Sequence, residues 1–212
     1  CSLCKQDYHG AVRCALGWAS WKTYLGRPER NEVLILAMNL LGNGLDAGDH
    51  DADALCVREA ELAMMRRLGS SQHNILVVQS NLATTYARLR RPETLRMKRD
   101  VYTGRLRLNG EEDRLTLIAA LNYATSLVSL DRFEEAKSLL RKPISIARRV
   151  LDESNDLTLR MRWMCAVALY KSTGATLDDL REAATTLEEI ERTARRVLGG
   201  AHPTTKAIEV AL

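Results

Sequence analysis

Apolar residues recur at three- and four-residue spacing over most of the chain and strand-like alternation is scarce, so the pattern predicts helices throughout. The pattern also repeats. Asn81-Leu82-Ala83 in QSNLATTYARL returns as Asn122-Tyr123-Ala124 in ALNYATSLVSL, and Asn39-Leu40-Leu41 in AMNLLGNGL is a third copy, at spacings of 42 and 41 residues. The ends of the units repeat as well: Arg67-Leu68-Gly69, Leu108-Asn109-Gly110, Val150-Leu151-Asp152 and Val197-Leu198-Gly199 lie 41, 42 and 47 residues apart. A Gly, Asn or Asp just past a basic amphipathic run stops a helix, through left-handed backbone and complementation of the helix dipole. Each unit then reads as a helical hairpin.

The predicted fold class is all-α, a solenoid of antiparallel helix pairs with repeats at 32–73, 74–114, 115–156 and 157–203. A fifth repeat starts at 204–212. The fourth is long because KSTGATL, Lys171 to Leu177, enlarges its internal turn, an insertion that a loop absorbs cheaply. A generic bundle without register would not produce four closures at near-constant spacing. Small residues stand at fixed slots, Ala83, Ala124 and Ala166 in first helices and Ala136 and Ala183 in second ones, as close helix stacking requires. Two positions depart from the pattern. Pro143 falls inside a second helix and is expected to kink it, and Asp53 stands at an alanine slot in the first unit.

The N-L-A of the first helices, the D-R-F-E-E-A stretch from Asp131 to Ala136 and the closing R-R-V-L-G together resemble the tetratricopeptide repeats of kinesin light chains. Gly199-Gly200-Ala201-His202-Pro203 also resembles the G-x-x-H-P opening between units of that family. The resemblance implies a concave groove lined by first helices, in which the Asn before L-A clasps the backbone of an extended peptide. The match carries to Asn39, Asn81 and Asn122, while the fourth unit has Met164 there. Positions i, i+4 and i+7 of a helix share a face, and that face reads Asn39-Asn43-Asp46, Asn81-Thr85-Arg88 and Asn122-Ser126-Ser129. Asn39, Asn81, Thr85, Arg88, Asn122 and Ser126 are therefore the candidate peptide-binding residues. The alternative is an ordinary solvated helix face.

Charge narrows the partners. With 31 basic and 27 acidic residues the net charge is only +4, too balanced to imply nucleic-acid binding by composition. Between Arg88 and Arg107 there are nonetheless eight basic residues against Glu93 and Asp100. A solvated face accounts for such a run, or it attracts an acidic peptide segment. Nucleic acid is the weaker option because no aromatic is regularly interleaved. The longest apolar run, Val33 to Met38, is far short of the roughly 20 residues that span a bilayer, so no membrane partner is expected.

The first thirty residues have a different character. Ala11 to Leu25 reads as a connecting helix ending at Gly26, within 11–31, and residues 1–10 carry Cys1-x-x-Cys4-Lys5 followed by Tyr8. That segment resembles the last ligand pair of a RING-CH-type zinc finger. Two thiolates two residues apart can share one tetrahedral zinc, and under this resemblance Cys1 and Cys4 are metal ligands of a finger whose other ligands lie upstream. Cys1, Cys4, His9 and Cys14 also have zinc-knuckle spacing, and the absence of any metal is a third reading. Because the chain starts at Cys1 and stops amid an apolar pattern, it is expected to be a piece of a longer protein. The RING resemblance implies that this protein acts in ubiquitin transfer, its finger recruiting a ubiquitin-conjugating enzyme and its repeats choosing the substrate.

Five cysteines without a secretory segment point to a reducing compartment, by default the cytosol, otherwise the nucleus. Cys56 and Cys165 fall on apolar helical positions and are expected in the core. Catalysis has no candidate: there is no phosphate loop, zinc-protease helix or nucleophile elbow. Gly42, Gly44 and Gly48 follow a helix and not a strand, so they are no dinucleotide fingerprint. Asp49, Asp51 and Asp53 begin like a calcium loop but lack its turn glycine and closing glutamate. The function expected is a protein-interaction scaffold, with a nucleic-acid module built from the knuckle and the basic stretch as the alternative.

Overall fold

The structure, a computed structural model, describes residues 9–28 and 32–212. Among the described residues there are ten helices and no strand: α1 (Gly10–Tyr24), α2 (Glu32–Ala47), α3 (Asp51–Arg67), α4 (Gln72–Arg88), α5 (Glu93–Asn109), α6 (Arg114–Ser129), α7 (Phe133–Leu151), α8 (Asp156–Lys171), α9 (Leu177–Val197) and α10 (Pro203–Ala211). The chain forms two compact units, Cys1–Met97 and Lys98–Leu212.

The four closures are made by backbone at positive φ. Gly69, Gly110 and Gly199 have φ of +67°, +82° and +89°, values that glycine adopts freely, whereas Asp152 combines φ of +74° with ψ of 168°, a positive-φ extended backbone that is strained for any residue with a Cβ. Within two or three residues of each, the next helix is capped by a side chain that accepts backbone N–H groups orphaned at its start. Ser71 does this for α4, Asp113 for α6, Asn155 for α8 and His202, through Nδ1, for α10. The His202-Pro203 pair thus has a local cause: His202 accepts from the Thr204 N–H at 3.3 Å, and Pro203 occupies the first turn, where its missing donor is not needed.

A second series of left-handed residues marks the turns inside the hairpins. Asp49, Arg90 and Asp131, 41 residues apart, have φ of +60°, +51° and +57°. In each, the next residue's N–H returns to a carbonyl in the last turn of the preceding helix: His50 to Leu45, Arg91 to Tyr86 and Arg132 to Leu127, all at 2.9 Å. The fourth hairpin replaces this turn by 172–176, which ends in a capping box between Thr176 and Asp179. The same 41-residue register corrects one expectation. The alanine slot of Ala136 is filled in the first hairpin by Ala54, which is fully buried, and Asp53 beside it is exposed.

In the first unit, α1 packs tightly on α2 through glycines. A Cβ on Gly17 would lie 2.9 Å from the Leu40 carbonyl oxygen, and one on Gly44 would lie 2.7 Å from that of Arg13. These approaches admit only hydrogen, which accounts for part of the glycine cluster of α2. Cys14 is buried with Leu41, Leu45 and Ala54, and Leu62, Met65, Val78, Leu82 and Tyr86 form a second core.

In the second unit, α6 packs on α7 and α8, and α8 on α9 and α10, so each first helix touches the first helix of the next hairpin. Leu117, Ala124, Leu140 and Met161 fill one core, and Ala166, Leu187, Ile190 and Ile208 another. The helix α7 runs through Pro143, which is itself buried. Cys165 lies against the first of these cores, and burial pushes its thiol pKa up. Cys56, expected in the core, is exposed, because the buried stripe of α3 passes through Ala54, Arg58 and Leu62 instead.

Ala124 is fully enclosed. Ala124→Leu should overpack its site and cost about 1–3 kcal/mol, read as a lower midpoint in urea unfolding.

Candidate functional site

The buried stripe of α3 carries two charged side chains, Arg58 and Glu61, only 2% and 1% exposed. An ion so placed is tolerable only if neighbours replace its water. Around Arg58 they do so on two of its three nitrogens. Its guanidinium pairs with Asp46 of α2, donates to Asn43 Oδ1 at 2.8 Å and donates through Nε to Thr85 Oγ1 of α4 at 3.1 Å, while Nη1 is left without an acceptor. Thr85 in turn donates to Asp46 Oδ1 at 3.1 Å, which ties the C-terminal halves of α2 and α4 together over α3. Gly42 makes the room: a Cβ there would lie 3.3 Å from the Arg58 guanidinium.

The network continues toward the start of α2. Asn43 donates from Nδ2 to Asn39 Oδ1 at 3.0 Å, and Asn39 hydrogen-bonds the Glu61 carboxylate. Glu61 is the incomplete acceptor, because its Oε2 is buried without a hydrogen-bond partner. Burial pushes its pKa from 4.5 up to about 7, against the opposing pull of Arg58 and the Asn39 hydrogen bond.

Glu61 also lines an opening in this unit. Between the N-terminal halves of α2 and α4, floored by α3, lies a pocket of about 760 Å³ walled by Ile35, Leu36, Met65, Leu68, Val77 and Val78, with Asn39, Ser70, Ser71 and Asn74 as its polar groups. Its volume is that of a ligand site.

The residues singled out from sequence thus divide. Asn39 lines the pocket but is committed to Asn43 and Glu61. Thr85 is fully buried and Ser126 nearly so, so at these two positions the expected open polar lane is closed. Thr85 serves the Arg58 network instead. Arg88 is bound to Asp49 and Asp51, each at 2.7 Å, and so acts as an internal clamp. Asn81 and Asn122, in the first and second units, are half-buried, and among the described residues their amides have no hydrogen-bond partner. The basic run from Arg88 is no uniform cationic face: Arg105 is buried, and Arg91 and Arg99 lie 3.8 and 3.7 Å from Glu93 and Asp100. Met164, in the Asn slot of the fourth hairpin, is buried in the core.

Cys1 and Cys4 lie outside the described residues. His9 is exposed and Cys14 is packed in an apolar cluster, and among the described residues no three potential ligands converge on a metal position.

Sequence reasoning missed Arg58 and Glu61. The signal was present: in DADALCVREAELAMMRR the helical series Ala54, Arg58, Glu61, Met65 places two opposite charges on an otherwise apolar stripe.

The raised pKa of Glu61 makes stability depend on pH with a definite sign. The unfolded chain releases this proton near pH 4.5 and the folded protein keeps it to about pH 7. The favourable contribution is therefore complete below pH 4.5 and lost as pH rises through 7, a change of about 3 kcal/mol. Glu61→Gln should be more stable than wild type at pH 8 by up to that amount and indistinguishable from it near pH 4.5, as read by urea unfolding at the two pH values.

No family model matches the chain, and no curated protein matches it by sequence. Solved structures do. BtubC (BKLC) from P. vanneervenii superposes with a TM-score of 0.72 over 97% of this chain and 85% of its own, at 15% identity. A Podosopora anserina putative kinesin light chain with nearly identical TPR-like repeats superposes at 0.67, over 87% of this chain and 94% of its own, at 16% identity, and a point variant of that protein at 0.69 with the same coverage and identity. The fold of this chain is that of the tetratricopeptide-like repeat solenoids.

Proposed function

We propose that this chain is a protein-interaction scaffold that binds an extended peptide segment of a partner on the faces of its first helices. One observation carries the reading: the pocket between α2 and α4, on first-helix surfaces, joins apolar walls to a few polar groups, as binding sites do. Asn81 and Asn122 support it. A carboxamide offers both a donor and an acceptor and can pair with a peptide backbone of any sequence, and among the described residues these two amides have no internal partner.

A peptide library screened against the chain tests this reading. Asn81→Ala, in the first unit, and Asn122→Ala, in the second, should each weaken many different ligands of its own unit by about 0.5–1.5 kcal/mol. Peptides that bind with no dependence on either residue would move the functional surface elsewhere.

The zinc reading of the N-terminus rests on the spacing of Cys1 and Cys4, and ubiquitin transfer through a ubiquitin-conjugating enzyme rests on it in turn. A knuckle would have to draw Cys14 out of its apolar cluster, which favours the finger remnant. Two ligands cannot complete a tetrahedral site, so metal analysis of the zinc-treated chain should find less than one zinc per molecule. One tight zinc lost in His9→Ala would establish the knuckle.

A further inference from the structure

Three features stand outside the fold's own needs: the polar surface recess around Arg132 and Lys171, the exposed Cys56, and the pocket over Glu61. The pocket has on its wall a buried ionisable residue, Glu61, whose Oε2 lacks a hydrogen-bond partner. We propose that it receives a lysine or arginine side chain of the bound partner, whose cationic end pairs with the Glu61 carboxylate. This rests on the scaffold reading and names what the partner must carry.

The charge count supports a cation. Within the network Asp46 and Glu61 face one guanidinium, that of Arg58, which Asp46, Asn43 and Thr85 already hold. Ionised Glu61 therefore leaves one negative charge in surplus, and its Oε2 lacks a donor. Arg58 does not line the pocket, so a ligand carboxylate entering there would meet Glu61 and not the guanidinium.

The walls fit the same occupant. Lysine and arginine carry an apolar stem behind a charged head, and Ile35, Leu36, Met65, Val77 and Val78 offer the stem an apolar passage toward Glu61. With the Glu61 carboxylate turned toward the pocket that its residue lines, an arriving ammonium or guanidinium would supply the donor that Oε2 lacks, a charge-assisted bond. A neutral alkyl chain would fill the walls and leave the carboxylate as it is. The volume exceeds one side chain, so the basic residue would sit beside apolar ones.

The test uses n-butylammonium as the lysine side-chain probe and n-butanol as its neutral counterpart, at pH 8, where Glu61 is ionised. The readout is the methyl resonance of Met65, which lines the pocket. Wild type should bind n-butylammonium at least about tenfold more tightly than n-butanol, as one charge-assisted bond provides. Glu61→Gln, isosteric and checked by circular dichroism, should abolish the difference. Val77→Trp, at the exposed rim, should block both probes without touching the carboxylate. Library peptides should be enriched in Lys or Arg at one position, and Glu61→Gln should erase the enrichment while the dependence on Asn81 and Asn122 persists.

Equal response to the two probes, or Asn-dependent peptides without a basic preference, overturns this inference and leaves the scaffold reading standing. Selective n-butylammonium binding with no peptide bound upholds the cation preference and overturns the scaffold reading.

Discussion

The first unit is organised around the burial of one guanidinium. Arg58 sits where α3 should present an aliphatic side chain, and taking its charge out of water costs several kcal/mol unless neighbours replace the hydration. The requirement reaches through three helices. It fixes Asp46 and Asn43 on α2 and Thr85 on α4, and it asks for Gly42, because a side chain there would crowd the guanidinium. A hydrophobic residue would hold the helices together without specifying which polar groups face inward. The guanidinium specifies them, since Asp46, Asn43 and Thr85 each turn an acceptor oxygen toward it.

Much of the fold was legible because its punctuation is chemical. Gly69, Gly110 and Gly199 lie where the backbone takes positive φ, and glycine is the residue that accepts it without strain. The internal turns were less visible for the same reason read backwards: Arg90 takes the position that Asp49 and Asp131 hold, yet arginine has no preference for positive φ. Ala54 illustrates a related limit. Alanine slots are recognised by register, and the leading Asp49-His50-Asp51-Ala52-Asp53 run offered no landmark to fix that register to one residue.

The candidate site was half legible. Helical periodicity put Asn39, Asn43, Asp46, Thr85 and Arg88 on shared faces, which is correct as geometry. Periodicity does not say what lies opposite a face. Here the opposing surface is α3 with its Arg58 and Glu61, together with Asp51, so most of the lane is spent on internal bonds. Asn81 and Asn122 keep the same slot, and among the described residues no charged residue claims their amides.

Glu61 is the point at which stability and binding part company. Arg58 leaves one nitrogen open, but its charge is met by the Asp46 carboxylate, whereas among the described residues Glu61 has an oxygen without a donor and only the Arg58 charge, shared with Asp46, to oppose its own. Glutamine would keep the Asn39 contact and spare the cost of burying a charge, so folding alone gives no reason for the acid. Departures from local consistency that stability does not repay are characteristic of functional sites. The cost of charging Glu61 at neutral pH is also free energy that a cationic ligand would recover on binding, since the group that lowers the carboxylate's pKa is the group that completes its hydrogen bonds. An unfinished bond at the wall of an apolar pocket is thus a defect for the free protein and a recognition element for the bound one.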